Sequence, residues 1–435
     1  MSKRDPSSGT GIFSNRNFLL VFFGALASEL GGMLYSFAVS FYILDISGNS
    51  AFLQGLFLAL CGIAMLLFTP LGGVLGDRFR KSGIMAACDF IKGAIIIAAT
   101  ALMLIFRGSR AELVILFING ILGNAVSGVF SPVASSILPH IVEEDRLQQA
   151  NSWLTIKNSL ESILGTVLAG ILYSAMPVHT LFFLVGICFI ISGISETFLR
   201  IHEQVRDEPL TLRSVFSDMK DGFLYLKSNR AMLALLVAVL FINFFFSPLT
   251  ANFLPFFVRT DLAGAQSYLL DDVLTPELWS SVFGMCIGIT SLLGAAVLSA
   301  AKQSEKCGRK ISFLLCSLAA INIVLTACYI IFVGRGGPIN VFLIAFTLGC
   351  LAIGYIVSGI NIPVSTAVMR LVDRSMLSKV NSITSIGSQG MVPLSSVLSG
   401  AVMERYGASS LLVFCSIGFA LTAAFTVLSR DIQEL

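Results

Sequence analysis

Long apolar stretches, repeated along the whole chain, constrain the fold more than any other feature of this sequence. A bilayer core of about 30 Å needs about 20 apolar residues in a helix that rises about 1.5 Å per residue. Strands of a membrane barrel would instead alternate polar and apolar residues over about 10 positions. Twelve stretches are long and apolar enough for helices: Phe18–Leu44, Phe52–Gly76, Ile84–Phe106, Leu113–Leu138, Ser152–Tyr173, Leu181–Phe198, Met232–Val258, Leu278–Ala300, Ile311–Val333, Ile339–Val364, Ser382–Val402 and Leu411–Leu428. The sequence therefore predicts an all-α membrane protein with twelve transmembrane helices.

The composition supports lipid as the solvent and excludes several function classes. Charged residues make up only 12% of the chain, whereas a soluble domain carries about 25%. The net charge of +3 gives no reason to expect a nucleic-acid partner. The chain has no CxxC pair and no Cys/His cluster, so we expect no metal site and no cofactor. It also lacks a nucleophile elbow and a phosphate-binding loop, so we do not expect an enzyme.

The basic residues predict how the helices are oriented. If both termini are cytoplasmic, 21 of the 28 Lys and Arg residues fall on the cytoplasmic side and five fall outside. This distribution follows the positive-inside rule. The longest outside loop, Arg259–Glu277, is acidic by contrast. The pattern predicts a multi-pass protein of the cell (plasma) membrane with both termini in the cytoplasm.

The two halves of the chain repeat one another. Ala150-Asn151-Ser152 at the start of the fifth stretch matches Val380-Asn381-Ser382 at the start of the eleventh. Leu168-Ala169-Gly170 matches Leu398-Ser399-Gly400, and both matches keep one offset of 230 residues. General apolar composition does not explain a conserved offset.

The repeat predicts the domain organisation. We expect two pseudo-symmetric six-helix bundles, residues 1–199 and 231–435, joined by a polar cytoplasmic central loop, residues 200–230. Pro132-Val133 and Pro363-Val364 are expected to close the fourth and tenth helices.

The loop after the second stretch carries a recognisable motif. It reads GVLGDRFRK, from Gly73 to Lys81, and resembles the signature loop of major facilitator transporters, Gly-x-x-x-Asp-Arg-x-Gly-Arg-Arg/Lys, with the second Gly missing. In that family the cluster latches the two halves in one access state. The resemblance therefore implies a latch formed by Gly73, Asp77, Arg78, Arg80 and Lys81. The alternative is that the cluster only fixes topology, although Asp77 adds nothing to a positive-inside bias.

Two further segments are similar to the macrolide-efflux and enterobactin-exporter branch of that family. Residues 138–152 (LPHIVEEDRLQQANS) resemble P-x-x-V-x-x-E-x-L-x-x-A-N-S, and residues 218–226 (DMKDGFLYL) resemble D-x-x-x-G-x-x-Y-L. The resemblance implies the major facilitator fold, with the substrate site between the halves.

The function implied by this resemblance is secondary active export of amphipathic small molecules, macrolide-like drugs first, by proton antiport with alternating access. The expected partners are the small-molecule substrate, protons and membrane lipid, and we expect a monomer. A siderophore exporter or a lysophospholipid transporter of the same fold is the alternative. A non-transporting membrane sensor is less favoured, because the chain has no soluble domain.

Ionisable residues within the apolar stretches are candidate coupling groups, because a charge at bilayer depth costs about 2.5–3.5 kcal/mol on insertion scales. Glu29 lies 11 residues into the first stretch, about 16 Å deep. Lys157 and Glu161 lie one turn apart in the fifth stretch. Glu29 is predicted either to load and release the coupling proton or to form a structural ion pair with Lys157, and Glu161 is the second coupling candidate. Asp89 and Lys92 are expected to neutralise each other.

Uncharged polar and aromatic residues at similar depth are candidates for the substrate cavity. Asn243 is the repeat counterpart of Glu29, and the neighbouring Phe244 belongs to a phenylalanine cluster that suits a lipophilic substrate. Each of these residues has the alternative role of helix–helix packing. The candidates are Asn119, Asn124, Asn243, Phe244, Tyr355, Asn361 and Gln389.

Overall fold

The computed structural model describes residues 12–143, 146–199, 223–227, 229–300, 307–372 and 377–433. Within these ranges the chain forms twelve long helices: α1 (Arg16–Ser47), α2 (Ala51–Arg78), α3 (Lys81–Ile105), α4 (Arg110–Ser135), α5 (Leu147–Ala175), α6 (Val178–Thr197), α7 (Arg230–Leu262), α8 (Pro276–Ala300), α9 (Cys307–Phe332), α10 (Ile339–Leu371), α11 (Leu377–Tyr406) and α12 (Ala408–Leu428). Most of the predicted central loop lies outside the described residues.

The helices confirm the predicted all-α membrane architecture. Ten of the described helices are long and apolar enough to cross a membrane. The other two, α5 and α11, occupy the positions of the fifth and eleventh predicted spans. The count of twelve transmembrane crossings stays a prediction.

Two predicted helix ends are wrong. Pro132 and Pro363 lie inside helices, because α4 continues to Ser135 and α10 continues to Leu371. A proline removes one backbone hydrogen bond and favours a kink. Transmembrane helices tolerate it where local adjustments and neighbouring groups satisfy the freed carbonyl. Proline is therefore a weaker stop signal here than in a soluble helix.

Helix α7 contains two wide turns that the sequence did not predict. Its α-helical parts, Arg230–Pro248 and Leu254–Phe257, alternate with π-helical turns at Leu249–Phe253 and Val258–Leu262. Pro248 and Pro255 lie in the α-helical parts beside these turns, and proline cannot supply the N–H that a regular α-helical ladder needs. Short π-helical turns within α-helices occur often at functional sites.

The chain divides into two compact units. Unit 1 contains residues 1–36, 64–165 and 177–212, and unit 2 contains residues 37–63, 166–176 and 213–435. The division therefore falls inside α1, α2 and α5 and assigns parts of these helices to unit 2. The predicted bundles, 1–199 and 231–435, concern the sequence repeat and stay a prediction.

Unit 1 is built on close helix packing. Helices α3 and α6 approach so closely that a Cβ added at Gly93 would lie 2.9 Å from the carbonyl oxygen of Gly186. An apolar cluster around Phe18, Met85 and Val133 joins α1, α3 and α4. This packing positions the ionisable side chains of unit 1 described below.

Unit 2 has an aromatic core. Phe257 packs edge-on against Phe342 with ring centroids 5.1 Å apart, and Phe283 packs edge-on against Phe346 at 4.8 Å. Tyr329 contacts Phe342 at 5.3 Å. Edge-to-face pairs of this kind contribute about 0.5–1.5 kcal/mol beyond their buried area. They fix α7 against α8, α9 and α10.

Candidate functional site

Glu29, Lys157 and Glu161 meet in unit 1, and we call them the shared-lysine triad. The Lys157 ammonium lies 2.7 Å from a Glu29 carboxylate oxygen and 3.4 Å from a Glu161 carboxylate oxygen. The side chains of Lys157 and Glu161 are 2% and 4% exposed, whereas that of Glu29 is 50% exposed. One buried cation is therefore shared by a buried carboxylate and an accessible one.

The local sequence explains how the triad forms. Lys157 and Glu161 are four residues apart on α5, so they share one face of the helix. A glycine at position 165 lets α1 approach α5, because a Cβ added there would lie 2.7 Å from the sulfur of Met33. This close approach brings Glu29 on α1 within reach of Lys157.

The triad carries one negative charge more than it can balance. With all three groups ionised, two carboxylates share one ammonium and the net charge is −1. Glu161 Oε1 is buried and has no hydrogen-bond partner among the residues that the structure describes. The triad thus has a place for one proton or for one cationic substrate group. The ion pair fits both predicted roles of Glu29, so the choice between them stays a prediction.

The cavity candidates in unit 1 differ in what they contact. Asn119 is buried and donates to the hydroxyl of Tyr35 at 3.0 Å. Asn124 donates to the carbonyl oxygen of Gly120 in its own helix at 2.8 Å. Asn119 thus joins α4 to α1, whereas Asn124 bonds locally.

The cavity candidates in unit 2 lie on three helices. Asn243 donates to the carbonyl oxygen of Val239 in α7 at 2.9 Å. The ring of Phe244 packs edge-on against Phe245 at 5.0 Å and against Phe414 at 6.5 Å. The remaining three candidates, on α10 and α11, are exposed: Tyr355, Asn361 and Gln389.

The predicted latch is described only in part. The side chains of Asp77 and Arg78 lie outside the described residues. Arg80 is exposed. Lys81 donates to the carbonyl oxygen of Gly76 at 3.2 Å, so it interacts with the C-terminal end of α2. A Cβ added at Gly73 would meet nothing within 4 Å.

Lys92 interacts differently from the prediction. Its ammonium donates to the hydroxyl of Ser127 at 2.7 Å and lies 4.4 Å from the centroid of the Phe189 ring. Among the described side chains, no ion pair within 4 Å joins Lys92 to Asp89. The expected neutralising pair is therefore not closed, because the lysine is directed towards α4.

A second charged cluster, in unit 2, was missed by the sequence analysis. Arg259 binds both carboxylate oxygens of Asp45 and donates to Glu277 at 2.6 Å. Tyr173 donates to Asp45 at 3.4 Å. We call these four residues the outer ion cluster, because the predicted topology places them at the outer end of their helices. The available signal was the set of opposite charges at neighbouring outer helix ends.

Close glycine contacts accompany the outer ion cluster within unit 2. A Cβ added at Gly400 in α11 would lie 2.6 Å from the carbonyl oxygen of Ala51 in α2, and one at Gly55 in α2 would clash with the carbonyl oxygen of Ser396. In the same way, a Cβ at Gly284 in α8 would lie 2.8 Å from Thr166 in α5. Small residues of this kind let transmembrane backbones approach closely.

The glycine contacts follow the sequence repeat. Gly170 in α5 meets Ser281 of α8, and the Ser281 hydroxyl donates to the carbonyl oxygen of Thr166 at 2.8 Å. Gly170 and Gly400 are the repeat counterparts 230 residues apart, and Gly55 and Gly284 stand 229 residues apart. The pair α2 with α11 and the pair α5 with α8 thus make equivalent contacts. The repeat was visible in the sequence, but the contacts were not.

Membrane-length helices with a buried, shared cation define the class as a membrane transport protein, and the comparison of sequences gives the family. A profile described as Major Facilitator Superfamily matches residues 21–393. The chain therefore belongs to the major facilitator superfamily of transporters.

Several curated proteins are similar to the chain. It is 24% identical over 296 residues to the uncharacterized transporter YkuC of Bacillus subtilis, a match that covers 66% of this chain and 65% of YkuC. It is 25% identical over 244 residues to macrolide efflux protein A of Streptococcus pyogenes, covering 54% of this chain and 57% of that protein. These alignments thus span less than two thirds of each relative.

Solved structures support the fold alone. The nucleoside transporter NupG superimposes with a TM-score of 0.69 at 14% identity and covers 94% of this chain and 100% of NupG. A bacterial homologue of the iron transporter ferroportin, in an inward-facing state, gives a TM-score of 0.67 at 15% identity and covers 95% and 100%.

Proposed function

We propose that the chain exports amphipathic small molecules across the cytoplasmic membrane by alternating access, with proton antiport at the shared-lysine triad. Macrolide-like compounds are the first substrate class to test, because the similarity to macrolide efflux protein A supports it. In this proposal both termini face the cytoplasm.

The shared lysine is the observation that carries the proposal. Two carboxyl groups compete for one ammonium that is 2% exposed. Binding one proton neutralises the triad, and losing it restores a net charge of −1. A half-exposed Glu29 can exchange that proton with the cavity water, while the buried Glu161 holds the lysine in place. A protein that alternates between two faces can thus carry a proton one way and substrate the other.

The contacts within unit 2 support alternating access. The end of α1, the start of α2 and the end of α5 belong to unit 2 together with α7, α8 and α11. Ion pairs and glycine contacts join these segments at the predicted outer end. Such contacts are small, local and reversible, as a closed outer entrance requires.

Substrate-dependent proton flux tests the proposal. The purified protein is reconstituted in proteoliposomes with an internal pH dye, and a macrolide, a siderophore and a lysophospholipid are added in turn. The proposal expects proton movement that depends on the macrolide and is lost in Glu161→Gln, because that variant removes a carboxyl from the triad. Glu112→Gln is the matched control: Glu112 is another buried carboxyl of unit 1, 3.4 Å from His179.

Three outcomes would contradict the proposal. Flux with the siderophore or the lysophospholipid alone would replace the substrate class. Equal flux in Glu161→Gln and Glu112→Gln would remove the triad from the coupling. Uptake of substrate without any proton movement would exclude proton antiport.

A further inference from the structure

Two buried carboxyl groups lie where α3 packs on α6. Asp89, on α3, is 3% exposed, and Glu196, in the last turn of α6, is 2% exposed. The helices approach closely there, since a Cβ added at Gly193 would lie 3.2 Å from the carbonyl oxygen of Ala86. The two carboxyl groups are near enough to interact electrostatically. Burying two like charges is costly unless a positive charge offsets them.

Three oxygens at this place have no partner. They are Asp89 Oδ2, Ser192 Oγ and Glu196 Oε2, each buried and without a hydrogen-bond partner among the described residues. Ser192 lies beside Asp89 and one helical turn before Glu196. Folded proteins leave few buried polar atoms unsatisfied, and a group of three suggests an absent ligand. We call these three residues the α3–α6 oxygen site.

The nearest base does not complete the site. Lys92 interacts electrostatically with Asp89, but its ammonium donates to Ser127 on α4. Among the described residues no ion pair within 4 Å reaches Asp89 or Glu196. Lys92 can offset only one of the two negative charges. The remaining charge matches one monovalent cation.

The ligand set and the access route fit such an ion. Carboxylate and hydroxyl oxygens are hard ligands that suit hard cations. A cavity of about 410 Å³ adjoins the site and is lined by Glu196, Arg80, Ser82, Phe90 and Thr197. Ser82 lies at the start of α3 and Thr197 at the end of α6, so the cavity lies where these helices begin and end. A hydrated ion can reach Glu196 through it.

We propose that Asp89, Ser192 and Glu196 bind a monovalent cation, Na⁺, at a site separate from the shared-lysine triad. The ion bridges α3 and α6 and offsets the second buried carboxylate. The site does not depend on which substrate is exported or on how export is driven.

Sodium binding to the purified full-length protein tests this directly. Radioactive ²²Na⁺ binding is measured in detergent, and thermal unfolding is compared in NaCl and in choline chloride at equal ionic strength. The proposal expects saturable binding and a higher Tm in NaCl, because a ligand that binds only the folded state stabilises it. Glu196→Gln should abolish both effects, and Ser192→Ala should weaken binding while keeping the fold if Glu196→Gln does not express.

The controls separate this site from the proposed proton coupling. Glu161→Gln disrupts the triad and should retain full Na⁺ binding, whereas Glu196→Gln should lose it. Equal Tm values in the two salts without saturable binding would overturn the proposal. So would Na⁺ binding that survives both Glu196→Gln and Ser192→Ala. A Glu196→Gln protein that is more stable than the wild type, with no Na⁺ effect in either, would assign a bound proton in place of the cation.

Discussion

Lys157 is the residue on which the buried charges of unit 1 depend. We expect Glu29→Gln to fold, because Lys157 keeps its contact with Glu161 at 3.4 Å. The double variant Glu29→Gln with Glu161→Gln leaves the lysine, 2% exposed, without a carboxylate partner. Removing the partners of a buried charge costs about 3–5 kcal/mol. Thermal unfolding of the detergent-purified single and double variants measures the difference.

A rescue variant makes this prediction specific. Lys157→Met in the double background removes the unpaired charge and should restore most of the lost stability. A double variant whose loss equals the sum of the two single losses would contradict a shared lysine, since shared partners are not additive.

The sequence located the triad but not the outer ion cluster, for a physical reason. Ionisable residues such as Glu29 and Lys157 are rare within apolar stretches, so each one is conspicuous. Asp45 and Arg259 are charges at helix ends, where charges are common, and their contact joins residues 214 positions apart. Only tertiary packing decides that pairing.

At the level of the helices, Gly55 should control how closely α2 approaches α11. A Cβ at this position clashes with the carbonyl oxygen of Ser396. We therefore expect Gly55→Ala to separate the outer ends of the two helices, although alanine favours helices by about 1 kcal/mol over glycine. Distances between spin labels on the outer ends of α2 and α11 measure the change.

The matched control lies in α11 itself. A Cβ added at Gly390 would meet nothing within 4 Å, so Gly390→Ala should leave the distance unchanged. The same distance distribution in wild type and Gly55→Ala would refute the close contact.

The loop between α2 and α3 carries a second prediction at this scale. Asp77→Asn should shift the balance between the two access states while membrane insertion stays intact, because a latch needs the negative charge. Cysteine accessibility on the two faces measures the balance. If transport and accessibility both match the wild type, the loop only fixes topology.

The helices were predictable and their irregularities were not. Apolar length alone identifies α1 or α12, because it reflects the bilayer thickness. The π-helical turns of α7 depend on how Pro248 and Pro255 are accommodated by the surrounding aromatic core. The continuation of α10 past Pro363 likewise depends on packing.

The topology of the whole molecule is open to a direct test. A tag at the C-terminus and a tag inserted near Gln266, in the segment between α7 and α8, should be labelled from opposite sides of the membrane. The positive-inside distribution requires this result. Labelling from the same side would refute either the number of crossings or the predicted orientation, and a tag in the central loop would show which.

The last prediction concerns the balance between the two access states. Arg259 joins Asp45 at the end of α1 to Glu277 at the start of α8 within unit 2. Its side chain is 28% exposed, so we expect the contact to contribute about 1 kcal/mol. Arg259→Ala should therefore raise the population of outer-open molecules about fivefold.

A buried cysteine reports this opening. Ser281 is 2% exposed and bonded to Thr166, so Ser281→Cys in a background without other cysteines should react with an impermeant thiol reagent about fivefold faster when Arg259→Ala is added. Arg259→Lys keeps the charge and should give a smaller increase. If the latch at Asp77 stabilises the outer-open state, Asp77→Asn should slow the reaction. The two changes lie at distant positions, so their free energies should add, and the double variant should return towards the wild-type rate. A double variant that reacts as fast as Arg259→Ala alone would show that only the outer ion cluster sets the balance.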